Sequence, residues 1–132
     1  MANERRSADD PQEWLDRARS NLILAGNIIE GVYLDDLCFD AQQAAEKSIK
    51  AVFIANKIRF PFTHDIGKLL ELLADGGVTI PKFVREAVIL TDSATFGRYP
   101  GPKVMATTRS HARAVRIAEK VLRWAERKVA AK

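Results

Sequence analysis

The chain has 132 residues, 47% of them hydrophobic, which is enough to bury one core and too few for two comfortable domains. A lone cysteine, Cys38, excludes an intrachain disulfide and a cysteine-based metal site, and two histidines, His64 and His111, exclude a His-rich one. The formal charge of +4 favours contact with polyanions, although where the charges sit decides more than their sum.

Residues 1–9, within MANERRSADD, read as a flexible polar leader without the apolar core of a secretory signal. No later run approaches the ~20 apolar residues that span a bilayer, so a single cytoplasmic domain over 1–132, with no membrane segment, is expected. In DPQEWLDRARSNLILAGNIIEG, the residues Trp14, Ala18, Leu22, Ala25, Ile29 and Val32 recur at helical steps. Asp10 supplies the N-cap, Pro11 fits the first turn and Gly31 lies near the end. From Leu34 to Lys57 there is no glycine or proline, and small or apolar residues cover two faces, the pattern of a helix at the centre of a bundle.

Pro61 breaks that helix, and Thr63 is placed to cap a short one running HDIGKLLELLAD, which Gly76 and Gly77 end. Pro81 opens a further helix, PKFVREAVILTDSA, with Phe83, Val84, Ala87, Val88 and Leu90 inward, before TFGRYPGP interrupts. The last helix runs from about Lys103 to the C-terminus, with Ala114, Ile117, Ala118, Val121, Leu122, Trp124 and Ala125 on one side. On the other side Arg109, Arg113, Arg116, Lys120, Arg123 and Arg127 repeat at steps of 4, 3, 4, 3 and 4, so that six cations form a ridge. No segment has strand periodicity. The expected fold is all-α, an antiparallel up-down bundle of four to five helices.

Four features occur in order: WLDRARSNL, CFDAQQAAEKSIKAVFIANK, THDIGKLLELL, and GRYPG before a terminal helix. Together they resemble the HEPN domain, over roughly Asp10 to Lys128. The resemblance implies a protein often encoded beside a minimal nucleotidyltransferase, in pairs that resemble toxin–antitoxin systems. There the HEPN partner is a homodimer, and is either a metal-independent ribonuclease or an inactive relative of one. No cofactor and no metal are implied.

Ribonucleases of the family share an Arg, four to six residues, then His motif, normally near the start of the last long helix. An imidazole takes the proton of an RNA 2′-hydroxyl while a guanidinium holds the scissile phosphate. Arg59 and His64 match that spacing but precede the third helix. The competing reading is a cap, with Thr63 capping, Asp65 complementing the helix N-terminus and His64 in the first turn, bonded to backbone. Arg98, Tyr99 and Pro100, flanked by Gly97 and Gly101, form a turn suited to binding nucleotide or RNA phosphate. Alternatively Tyr99 packs into the bundle and Arg98 pairs with a carboxylate such as Asp92 or one on the second helix.

His111 reads as a packed, hydrogen-bonded histidine, and Asp35, Asp36 and Asp40 as solvated surface in preference to a cation site. The cationic ridge either meets RNA phosphates or is a solvated outer face partly offset by Glu119 and Glu126. It has no interleaved aromatic residues, so contact there would be with the backbone and not with bases. Three functions stand side by side: a nucleotide- or RNA-phosphate-binding partner of a nucleotidyltransferase-like protein, a toxin-type ribonuclease, and a non-catalytic interaction protein.

Overall fold

The structure, a computed structural model, describes residues 6–91 and 105–132. It contains α1 (Pro11–Ala25), α2 (Leu34–Ala55), α3 (Ile66–Asp75), α4 (Lys82–Arg85) and α5 (Thr108–Ala130), and among the described residues there is no strand. No described helix is long and apolar enough to cross a membrane.

α2 lies at the centre, as its two-faced pattern predicts. Ala41, Ala44, Ala45, Ala51 and Val52 are fully buried, and these small side chains let the neighbouring helices approach closely. α1 runs antiparallel to α2: Asn21 bonds Asp40 and Lys47 at one level, and Lys50 faces the Trp14 ring further along. α1 is antiparallel to α5 as well, with Ala25 against His111 and Arg19 against Glu126. The starts of α2 and α5 meet where the Ala106 amide donates to Asp35 at 2.6 Å. Thr107 and Ser110 then close a capping box at the head of α5.

α2 is followed by a loop, residues 56–65, that doubles back along it. Phe60 packs on Phe53, and His64 reaches Glu46 two turns nearer the start of the helix. The loop, not a helix, makes this reversal, so α3 travels in roughly the same sense as α2 and ends with Gly76 against Ile58.

Local expectations change in several places, the last helix among them, which begins at Thr108 and not near Lys103 because Thr107 caps it. α1 stops at Ala25 instead of continuing towards Gly31, because the Asn27 side chain takes the Ile23 carbonyl and His111 takes that of Ala25. Ile28, Ile29 and Val32 are therefore exposed on a connecting segment. Asp65, not Thr63, caps α3 by accepting from the Lys68 amide, while Thr63 accepts from the Asp65 amide just before it. The helix opened by Pro81 is broken at residues 86–87 and resumes at 88–91; Val84, Ala87 and Leu90 are buried but Val88 is exposed.

Candidate functional site

Gln42, Glu46 and Lys50 follow one another at steps of four along α2 and form a polar row among its buried residues. All three are buried, because the returning loop lies over them. Lys50 Nζ stands 2.7 Å from Glu46 Oε2, and Gln42 Nε2 donates to Glu46 Oε1 at 3.1 Å and to the His64 carbonyl at 3.2 Å. The Lys50 ammonium also faces the rings of Phe60 at 5.2 Å and Trp14 at 5.9 Å, which stack edge-to-face on each other.

His64 closes this cluster from outside. Its Nδ1 lies 3.0 and 3.1 Å from the two Glu46 oxygens, while its side chain remains 66% exposed against 3% for Glu46. A carboxylate only accepts, so Nδ1 carries the proton shared with it, and in the neutral form of the ring Nε2 is the nitrogen that accepts. An imidazole oriented from behind by a buried carboxylate is the arrangement of a general base. The anchor of His64 is therefore a side chain of α2 and not backbone alone.

Arg59, on the same loop, is exposed and lines an open depression with Asp9, Ile54, Lys57, Ile58 and Phe60. His64 is not part of that lining, and no contact among the described residues joins the two side chains. The structure thus gives the motif-spaced pair a common loop but not a common pocket.

On α5 the six cations Arg109, Arg113, Arg116, Lys120, Arg123 and Arg127 are all exposed. Glu119 pairs with Arg123 at 3.5 Å. Glu126 does not offset the ridge, because Arg19 of α1 binds it through Nε at 3.1 Å and Nη2 at 2.8 Å. Among the described residues the other five ridge cations have no ion pair. Beside the ridge, Phe83 of α4 lines an open hollow of about 330 Å³ together with Lys120, Arg123 and Arg127.

The remaining candidates resolve into structure. His111 is buried and its Nε2 donates to the Ala25 carbonyl at 2.7 Å, satisfying the end of α1. Asp35 is held by the Ala106 amide and Asp40 by Asn21, and burial raises the Asp40 pKa. No group of three or more His, Cys, Asp or Glu able to hold a metal occurs among the described residues. Burial pushes the Cys38 thiol up to about 11, so it is a packed, unreactive side chain. Arg98, Tyr99 and Pro100 lie outside the described residues. The residues that sequence reasoning passed over are Gln42, Glu46, Lys50 and Phe83. The first three share a step of four along α2, a spacing visible in the sequence although their burial is not.

The model of the HEPN domain family matches residues 11–128. Among solved structures the chain is similar to TT1696 from Thermus thermophilus, with 33% identity, a TM-score of 0.75, and 91% of this chain and 98% of the other covered. It is similar in fold to ST0689, described as an archaeal HEPN homologue, with 24% identity, a TM-score of 0.70, and 96% and 99% covered. A comparison with curated proteins finds no match.

Proposed function

The chain belongs to the HEPN domain family, and from that premise we propose that it is the helical component of a two-protein module with a nucleotidyltransferase-like partner, where it binds nucleotide or RNA phosphate. The observation that carries this reading is the α5 ridge: six exposed cations, one of them ion-paired among the described residues, along a single helix face. A solvated face built only for solubility would mix both signs, whereas here the nearby Glu126 is drawn off by Arg19. Arg98, with Tyr99 and Pro100, belongs to the same proposal as a second phosphate contact.

Fluorescence anisotropy with labelled single-stranded RNA across a salt series tests it. Binding should weaken steeply with salt, and each of Arg113→Gln, Arg116→Gln and Lys120→Gln should flatten the log–log slope by about 0.7 per lost contact. Absence of binding at low salt would remove the reading. Co-expression with a neighbouring nucleotidyltransferase-like protein should yield a stable complex whether or not His64 is intact.

A second reading, a metal-independent ribonuclease, is favoured by the Glu46–His64 pair. His64 Nε2 would take the 2′-hydroxyl proton, the 2′-oxygen would attack phosphorus, and the bond to the 5′-oxygen would break with that oxygen taking a proton from solvent water, giving a 2′,3′-cyclic phosphate and a 5′-hydroxyl. The proton on His64 would then return to solvent. Arg59 would steady the phosphate. RNA incubated with chelator should then be cut, and His64→Ala should stop it; intact RNA at high protein concentration would dismiss this chemistry. The homodimer belongs to the proposal too, supported by Ile23, Leu24, Ile28, Ile29 and Tyr33, which are exposed together where α1 gives way to α2.

A further inference from the structure

The hollow beside the C-terminal half of α5 supplies what the ridge lacks in sequence, an aromatic surface among the cations. Phe83 is half-buried, packed against the core, and still lines the hollow with Lys120, Arg123 and Arg127. These three cations span seven residues of helix, an arc of roughly 10 Å. Lys82, next to Phe83 in the chain, is exposed as well. Of the acidic side chains nearby on α5, Glu119 is paired with Arg123 and Glu126 with Arg19.

A flat apolar ring surrounded by guanidinium and ammonium groups matches a ligand that joins a π-face to phosphate. We infer that this hollow is a nucleotide subsite, in which one unstacked base lies on Phe83 while its flanking phosphates meet Lys120, Arg123 and Arg127. The inference rests on the ridge meeting RNA phosphate, and adds a preference for single strands over duplex. In a duplex every base is already stacked between neighbours and offers no face, whereas a single strand offers each base in turn. An acidic peptide with an apolar anchor would use the cations equally, but it has no need of a ring face.

The test uses the full chain, a labelled uridine octamer, an RNA duplex of equal charge, and adenosine monophosphate as competitor. Phe83→Leu keeps an apolar side chain there and removes the π-face. It should raise the octamer Kd about tenfold, leave the duplex Kd within about twofold and the salt slope unchanged, and lower the melting temperature only slightly, with the chain still folded at the assay temperature. The double variant Lys120→Gln/Arg127→Gln should weaken octamer and duplex alike. Competition by the monophosphate that Phe83→Leu abolishes would identify a free nucleotide as the source; octamer binding without such competition would identify a strand. If Phe83→Leu leaves octamer binding intact while the double variant weakens it, the subsite is overturned and the phosphate ridge stands. If the native chain binds neither RNA, the ridge reading falls first. Binding of a glutamate-rich peptide carrying one phenylalanine, sensitive to Phe83→Leu where the octamer does not bind, would replace the nucleotide with a protein partner and overturn the proposal.

Discussion

Burying Glu46 and Lys50 strips water from two charges, an effective penalty of several kcal/mol per ion even after relaxation. The 2.7 Å pair offsets it, together with the Gln42 amide, the His64 ring nitrogen and the two aromatic faces over the ammonium. Removing one partner is therefore worse than never having had the pair. Glu46→Ala leaves a buried cation with only ring faces for company and should cost about 3–5 kcal/mol in urea denaturation. Lys50→Met should cost less, since His64 and Gln42 still donate to the carboxylate. The reverse order would show that Lys50, not Glu46, organises the cluster. This site was half legible in the sequence. Residues 42, 46 and 50 share a face on inspection, but such a row reads by default as solvent-facing. Only the fold reveals that Trp14 and Phe60, from opposite sides in the chain, roof it over.

α2 and α3 terminate in the same way. The Ile58 amide reaches the Phe53 carbonyl and the Lys57 amide reaches Ile54, just as Val78 reaches Leu73 and Gly77 reaches Ala74. The residue that must turn left-handed is Gly77 at φ 96° in one case and Lys57 at φ 57° in the other. Substitutions at these equivalent places should move stability in opposite directions. Gly77→Ala should destabilise by about 1–2 kcal/mol, because a Cβ is strained there. Lys57→Gly trades that strain for extra freedom of the unfolded chain, and should be neutral or stabilise by up to about 1 kcal/mol. Thermal melts of the two variants decide it, and a shared direction would mean that something other than backbone conformation sets these ends. The long helices α2 and α5 were readable because their periodicity runs for many turns and every apolar residue assigned inward on α5 is buried. The end of α1 was misplaced because the local stop at Gly26 and Asn27 was passed over for Gly31, and because its other half, the His111 bond to Ala25, comes from a helix distant in the chain.

At the scale of the molecule, two surfaces differ in kind: the basic ridge of α5 and the apolar cluster where α1 meets α2. If the apolar cluster seats a second copy, sedimentation equilibrium should show a dimer at micromolar concentration, and Ile28→Glu should give a folded monomer with native helix content whose melting temperature no longer depends on protein concentration. A native chain that sediments as a monomer would end that proposal. Phe83 shows how far a whole-molecule property can escape a linear reading. The ridge has no aromatic residue in its own helix face, and the ring arrives from α4 only when the chain has folded. Because the ridge side chains stand outside the core and five of the six engage no carboxylate among the described residues, exchanging them leaves the architecture untouched. The core-facing and solvent-facing residues thus lie on opposite sides of one helix, so drift on the outer side carries little structural penalty, and positive charge kept there across generations would point to selection for the phosphate contact proposed above.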